Sequence, residues 1–427
     1  MNLTPIAKKL IACFCVLLCV ASYAKAQRII PVDSSKAQTL RLDPSNAMGG
    51  NASDIFTEIN YIPLETTEES LFGSISKLVV TEDYFIILDN NTRSILLFNK
   101  NGKFHKKIRG TENAPIWDFS VNRYTKEIRY SRDQYKTYTF CDYDGKELRT
   151  IKPGGELAKD EINDSNMHFF GPGKGVSCLM PRHVDSTSKY YKFYYKSLIV
   201  FANDKNKVYA HGLAVDNREG HDNTMIFLGG TTPFTTVSDT AFYYIRPFTF
   251  NLYTIRPDAI KLSYKLVFPL NVSLPQNFGI DSNYNNKRAE YVRRNSKLIY
   301  YIANFYQLKE NLLFRTGSFE INEEDNLIYN LRSGTLIAFK HILQDEKSYF
   351  LPIYDNSNGG QSFNFSGILA CTDGYLYTSA SSLGMFTYHE KYADQKAKYP
   401  PALDDYFKKG SRKDNPVIMQ LKLKDNL

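Results

Sequence analysis

A chain of 427 residues is too long for one compact sandwich and suits either two or three domains or one large repeat domain. Its 31 Tyr and 28 Phe against a single Trp, with 23% charged residues, exclude a disordered composition and fit β structure. A formal charge of +8 spread along the chain leaves no dense basic stripe, which excludes nucleic acid as the natural partner class.

The N-terminus reads as a targeting segment. Lys8 and Lys9 precede an apolar stretch, Leu10–Ser22, that is short for a bilayer span, and Ala24-Lys25-Ala26 supplies an A-x-A cleavage site. Residues 1–26 are therefore expected to be a signal peptide, with no transmembrane span after cleavage. A lipid anchor at Cys19 ranks second, because Leu18 rather than a small residue precedes it. The leader carries three lysines and no acid, so the charge falls from +8 to +5 over the remaining 401 residues. It also carries three of the six cysteines. Cys141, Cys178 and Cys371 remain, odd in number and far apart, with neither a disulfide framework nor a CxxC metal signature.

Residues 27–53 are polar and irregular and read as a flexible tether. Ile55–Leu64 is a strand ended by Pro63. The clearest stretch follows: Ile75–Thr81, Tyr84–Asn90, Ser94–Lys100 and Lys103–Arg109 are rich in β-branched and aromatic residues. Asn101-Gly102 between the last two predicts a type I′ hairpin turn. This is one four-stranded antiparallel blade, and a blade needs neighbours like itself to bury both faces. Residues 115–154 repeat the layout, with CDYDGK matching FNKNGK. Gly102 and Gly145 lie 43 residues apart, within the blade periods of propellers, roughly 40–50 residues. The period then loosens through insertions. Strand groups recur at His168–His211, Thr235–Phe268, Ile299–Ile342 and Phe363–Lys424, and short helices are predicted at Asn286–Asn295 and Ser381–Lys391. Pairing Ile55–Leu64 with Pro416–Lys424 would complete a sixth blade and remove the open edges. The expected fold is all-β, a single six-bladed β-propeller over residues 54–427 closed by its N- and C-terminal strands.

Three stretches carry a resemblance: Tyr61–Leu78, Ile87–Ile108 and Asp414–Lys424. Through them the chain resembles a family of six-bladed β-propellers, secreted or lipid-anchored, from Bacteroidetes. The resemblance implies an extracytoplasmic location and no catalytic residues. A glycine-rich loop that usually follows the opening blade in that family corresponds to Arg109–Val121, which keeps only Gly110 and Pro115.

No GxSxG, HExxH, Walker or GxGxxG motif is present, and Gly171–Gly175 (GPGKG) lacks the Ser/Thr and helix of a phosphate loop. Nothing calls for a cofactor or a metal. The acidic pairs Glu68-Glu69, Glu323-Glu324 and Asp404-Asp405 sit side by side in turns, whereas glycosidases oppose two carboxylates across a sugar. The binding candidates are few. Trp117 and Asp118, after a loop holding Arg109, could stack on a sugar, although core packing at the junction of the first two blades is the favoured reading for Trp117. Arg182 and His183, followed by Asp185, could hold an anionic or sugar ligand at the channel mouth or form a solvated loop. Arg246 and Arg315 could point into the channel or be strand-end charges. The function that fits is a non-enzymatic extracytoplasmic binding module for a glycan, peptide or protein partner. The alternative is a propeller-fold glycoside hydrolase or lyase, which acids converging at the channel mouth would favour. An assembly or sensor subunit would show an aromatic patch on the outer wall.

Overall fold

The computed structural model describes residues 28–133, 136–152, 167–178, 197–203, 208–214, 216, 234–238, 240–245, 248–320, 326–355 and 363–427. The N-terminal segment supplies β1 (Arg28–Ile30), β2 (Val32–Asp33), β3 (Gln38–Arg41), β4 (Met48–Asn51) and β5 (Phe56–Pro63). Six sheets follow. Blade I is β6 (Lys77–Val80), β7 (Tyr84–Asp89), β8 (Ser94–Asn99) and β9 (Phe104–Ile108). Blade II is β10 (Phe119–Asn122), β11 (Glu127–Tyr130), β12 (Tyr138–Cys141) and β13 (Glu147–Ile151). Blade III is β14 (His168–Gly171), β15 (Lys174–Cys178), β16 (Ser197–Ala202) and β17 (Val208–Ala214). Blade IV is β18 (Phe234–Ser238), β19 (Ala241–Ile245), β20 (Asn251–Arg256) and β21 (Ala259–Val267). Blade V is β22 (Tyr301–Leu308), β23 (Asn311–Gly317), β24 (Asn326–Asn330) and β25 (Leu336–Leu343). Blade VI takes β26 (Ala370–Thr372), β27 (Tyr375–Ala380) and β28 (Val417–Leu423) from the C-terminus and β5 from the N-terminus.

The ring closes as the sequence predicts. β5 runs antiparallel to β28 from Val417↔Pro63 to Leu423↔Phe56. The repeated glycine turns of blades I and II share one geometry. Gly102 N–H donates to the Asn99 carbonyl and Gly145 N–H to that of Asp142, and both glycines have positive φ. In each turn a side-chain oxygen, of Asn99 or Asp142, accepts from two backbone N–H groups further on. Asn101 does not share the positive φ, so the turn is a type I turn closed by a left-handed glycine rather than the type I′ form.

The segment expected as a flexible tether, residues 27–53, is paired into the sheets from Arg28 onward. β1 pairs in parallel with β17, β2 and β3 with β21, and β4 with β25, so the segment belts the outer edges of blades III, IV and V before β5 joins blade VI. Its polar composition hides this because a one-sided edge strand needs few anchors. Ile30, Leu40 and Leu42 are buried while their neighbours Ile29, Thr39 and Arg41 face water. Burying each aliphatic side chain contributes about 1.5–3 kcal/mol. The belt also covers three outer edges that would otherwise expose unpaired backbone.

Apolar clusters fill the seams I–II, III–IV, IV–V, V–VI and VI–I. Among the described residues the seam between blades II and III is mixed: Arg129 is buried beside Tyr138 and Phe140, with the Met167 sulfur against its guanidinium. The two ring faces differ as well. Turns of two to five residues (81–83, 123–126, 309–310, 373–374, 142–146) occupy one face. Connections 64–76, 109–118, 268–300, 344–369 and 381–416 leave from the other. The predicted helices lie there, as α1 (Arg288–Arg294) and α2 (Ser382–Lys391), with a further helix, α3 (Pro401–Lys409). Arg288 is fully buried and pins α1 by donating to the Phe278 and Asp281 carbonyls, both at 2.9 Å. Ser381 caps α2 by accepting the Gly384 N–H at 3.0 Å, and the buried Asp355 carboxylate holds that cap by accepting from the Ser381 N–H and hydroxyl, both at 2.6 Å.

Candidate functional site at the channel mouth

The first strand of each blade is the innermost, and β10 lies against β14 while β26 lies against β6. These strands begin at the loop-rich face. Lys77 opens β6, Asp118 immediately precedes β10 and His168 opens β14, so three successive blades deliver one polar residue each to the same mouth. Lys77 Nζ donates to Asp118 Oδ1 and to the Phe119 carbonyl, both at 2.7 Å, and lies 5.2 Å from the Phe119 ring centroid. Asp118 Oδ1 also accepts the Phe119 N–H at 2.7 Å. His168 packs edge-on against Phe242. Burial, and then the charge of Lys77, lower its imidazole pKa to about 3, so it is neutral at physiological pH.

Behind this trio lies the blade II–III seam. Ser120 is buried, and among the described residues its hydroxyl finds no hydrogen-bond partner. Its cross-strand neighbour Arg129 is buried with its guanidinium 4.2 Å from the Tyr138 ring centroid and 5.6 Å from that of Phe140. One Arg129 N–H points at the Met167 sulfur, 3.6 Å away. Further out, Arg149 forms an ion pair with Glu127. The wall is thus mixed, cationic and aromatic. Its acid at the mouth is neutralised by Lys77. Among the described residues no group of three or more His, Cys, Asp or Glu could hold a metal ion.

Loop 109–118 forms the rim beside this mouth. Gly110 N–H donates to Ser94 Oγ at 3.1 Å, and a Cβ at Gly110 would lie 1.8 Å from the Arg93 carbonyl oxygen, so only glycine lets the loop close on the 90–93 turn. Ile116, fully buried in the blade I–II cluster, anchors the loop from the other side. That anchoring turns its neighbour outward: Trp117 is 49% exposed, with the Arg93 guanidinium 5.1 Å from its ring centroid. Core packing for Trp117 is therefore overturned, because Ile116 takes the core position one residue earlier.

Of the sequence candidates, Arg109, Trp117 and Asp118 lie on one loop but turn to different partners, Glu69, Arg93 and Lys77 respectively. The Arg109 side chain is exposed 3.6 Å from Glu69, and its carbonyl accepts two N–H groups from Arg132. Arg315 stands apart on β23, one strand out from the channel-lining β22, buried with its guanidinium 5.4 Å from the Tyr301 ring centroid. Arg182, His183 and Arg246 fall outside the described residues, as do residues 1–27 with Cys19. Sequence reasoning missed Lys77, Arg93, Ser120, Arg129 and His168. Two of them leave only a weak trace: Lys77 and His168 are the polar first residues of otherwise apolar inner strands, KLVV and HFFG.

Among the described residues no helix is long and apolar enough to cross a membrane. The model of a domain of unknown function, DUF4934, matches residues 39–422. No curated protein matches. The fold matches the crystal structure of an exported protein of Bacteroides fragilis with a TM-score of 0.62, at 14% identity over 91% of this chain and 100% of that one. A member of the DUF4221 family from Bacteroides vulgatus aligns at 9% identity over 86% of this chain and 97% of the other, with a TM-score of 0.43. A streptogramin B lyase aligns at 11% identity over 88% and 100%, with a TM-score of 0.39. At 14% identity the likeness to the Bacteroides fragilis protein speaks to fold alone.

Proposed function

The chain belongs to the DUF4934 family, a domain of unknown function, and on that premise we propose that it is a non-enzymatic extracytoplasmic binding module that engages its ligand at the loop-rich face. One observation carries the reading: the long connections gather on one face around a mouth whose acid is ion-paired and whose imidazole is neutral. Rigid rings of this kind bind through the loops at one end. A hydrolase of sugars needs two opposed carboxylates, one of them free to act, and Asp118 is occupied by Lys77. The leader at residues 1–26 supports export of the mature chain.

The test uses the purified chain from residue 27 onward on glycan and peptide arrays, followed by calorimetry on each hit. Mass spectrometry of the ligand after long incubation supplies the second readout. Binding with the ligand recovered intact is the expected result. Shortened or unsaturated products would replace this reading with the hydrolase or lyase alternative.

A further inference from the structure

We infer that the rim formed by Arg93, Trp117 and their neighbours is a subsite for an acidic oligosaccharide, with one pyranose ring on the indole face that Arg93 leaves open and the carboxylate of an adjoining sugar on Arg93. The inference rests on the binding reading above and names the ligand class for that face.

The aromatic element is unusual in its position. Trp117 is the chain's one tryptophan, and the fold leaves it half exposed while Ile116 fills the core beside it. A flat indole held at a rim offers a large apolar surface with few torsions to freeze. Arg93 supplies the charge. Its guanidinium carbon lies over the ring, and among the described residues no carboxylate pairs with it. Stacking fixes the plane of a guanidinium while leaving its N–H edge available for bidentate contact with a carboxylate. Arg93 also holds a left-handed backbone at φ 53°, a conformation that side-chain-bearing residues adopt at a cost. The loop geometry maintains it, since the Arg93 carbonyl accepts the Ile116 N–H and bars any side chain at position 110.

The remaining rim fits a polyol. Asn90, Asn91, Thr111 and Asn113 are exposed on the same turn and loop as the pair and offer neutral donors and acceptors to sugar hydroxyls, with Glu112 exposed among them. Arg109 adds a second cation, loosely held 3.6 Å from Glu69 with both side chains more than half exposed. One stacked aromatic, one unpaired fork of donors and a fringe of amides together select a hydroxylated ring that bears a carboxylate over a neutral sugar.

The single tryptophan makes the test direct. A short oligogalacturonate is titrated into the mature chain while indole emission is followed, in parallel with its methyl ester and the matching neutral galactan. The acidic oligomer is expected to shift or quench the emission and to bind more weakly as salt is added. Calorimetry on Trp117→Ala and Arg93→Gln is expected to show affinity lowered about tenfold or more in each. Tyr124→Ser, on the short-turn face, is expected to bind as wild type, and circular dichroism checks that each variant folds. Equal binding of ester, galactan and acid would overturn the acidic class. Acid binding unchanged in both rim variants would overturn the site. If the arrays return a peptide or neutral glycan while the oligogalacturonate is inert, the binding reading stands and this inference falls. No ligand of any class would remove both.

Discussion

Replacing Leu42 by alanine is the sharpest test of the N-terminal belt. Leu42 is 2% exposed in the apolar cluster between blades IV and V, and its N–H donates to the Val267 carbonyl at 2.8 Å. Truncating a leucine so enclosed costs about 2–5 kcal/mol, the lost transfer energy plus the cavity left behind. The belt lies at the rim and can detach before the ring unfolds, so part of the cost is expected as local opening. A loss of about 2–3 kcal/mol in urea unfolding is expected, with faster amide exchange in residues 38–51 and in β21. Thr39→Ala, three residues away but exposed, should cost under about 0.5 kcal/mol. A tether would make the two variants alike. Equal stability of Leu42→Ala and wild type, with unprotected amides over 38–51, would refute the belt.

Three further outcomes follow from the geometry. His168 stays neutral in the fold down to about pH 3, while an unfolded histidine takes its proton near pH 6.5. Above pH 6.5 the residue contributes no pH dependence. As pH falls from about 6.5 toward 3 the unfolded state binds more protons and stability drops, with His211 adding to the trend down to about pH 4. Thermal melts of His168→Gln should show a shallower acid limb than wild type, and an identical limb would count against the burial of this imidazole. Gly102→Ala would place a Cβ 2.1 Å from the Pro63 carbonyl oxygen at φ 80°. It should cost about 2–4 kcal/mol, read by denaturant midpoint, because the turn abuts the closing strand. A double-mutant cycle on Lys77→Met and Asp118→Asn should return a favourable coupling of about 1–3 kcal/mol for this largely buried pair, and a coupling near zero would dismantle the mouth as described.

Much of the ring was legible because it rests on local signals. Dense β-branched and aromatic runs, glycine turns at a 43-residue spacing and a self-completing pair of terminal strands all act over short stretches or by simple pattern. The predicted strands of blade I differ from β6–β9 by one or two residues at their ends. The belt escaped because parallel addition to a distant strand leaves almost no local trace. Its only signature is the alternation Leu40-Arg41-Leu42, three residues that a polar context conceals. α3 escaped as well, starting from Pro401, whose place at a helix N-terminus looks like a breaker in sequence. The site was half legible. The loop holding Arg109, Trp117 and Asp118 stood out by composition. Lys77 and His168 did not, because a lone polar residue at a strand end is common, and only the ring brings those strand ends to one mouth.

The same ring shows why the site falls where it does. Five seams are cemented by aliphatic and aromatic clusters and can tolerate little polarity. The II–III seam instead carries Arg129 between Tyr138 and Phe140, a buried Ser120 hydroxyl and the Arg149–Glu127 pair. A charged residue is retained in an interior only where partners offset its desolvation, and replacing such groups by well-packed hydrophobes is often neutral or stabilising. Stability alone therefore gives no reason for a buried guanidinium at this seam. Its inner end opens beside Lys77, Asp118 and His168, and the rim with Trp117 stands over the adjoining blade junction. Local departures from the rules that build the rest of a fold mark sites under a second demand. Here the departure in the seam and the exposed indole on the rim, two independent irregularities, meet on one side of one face.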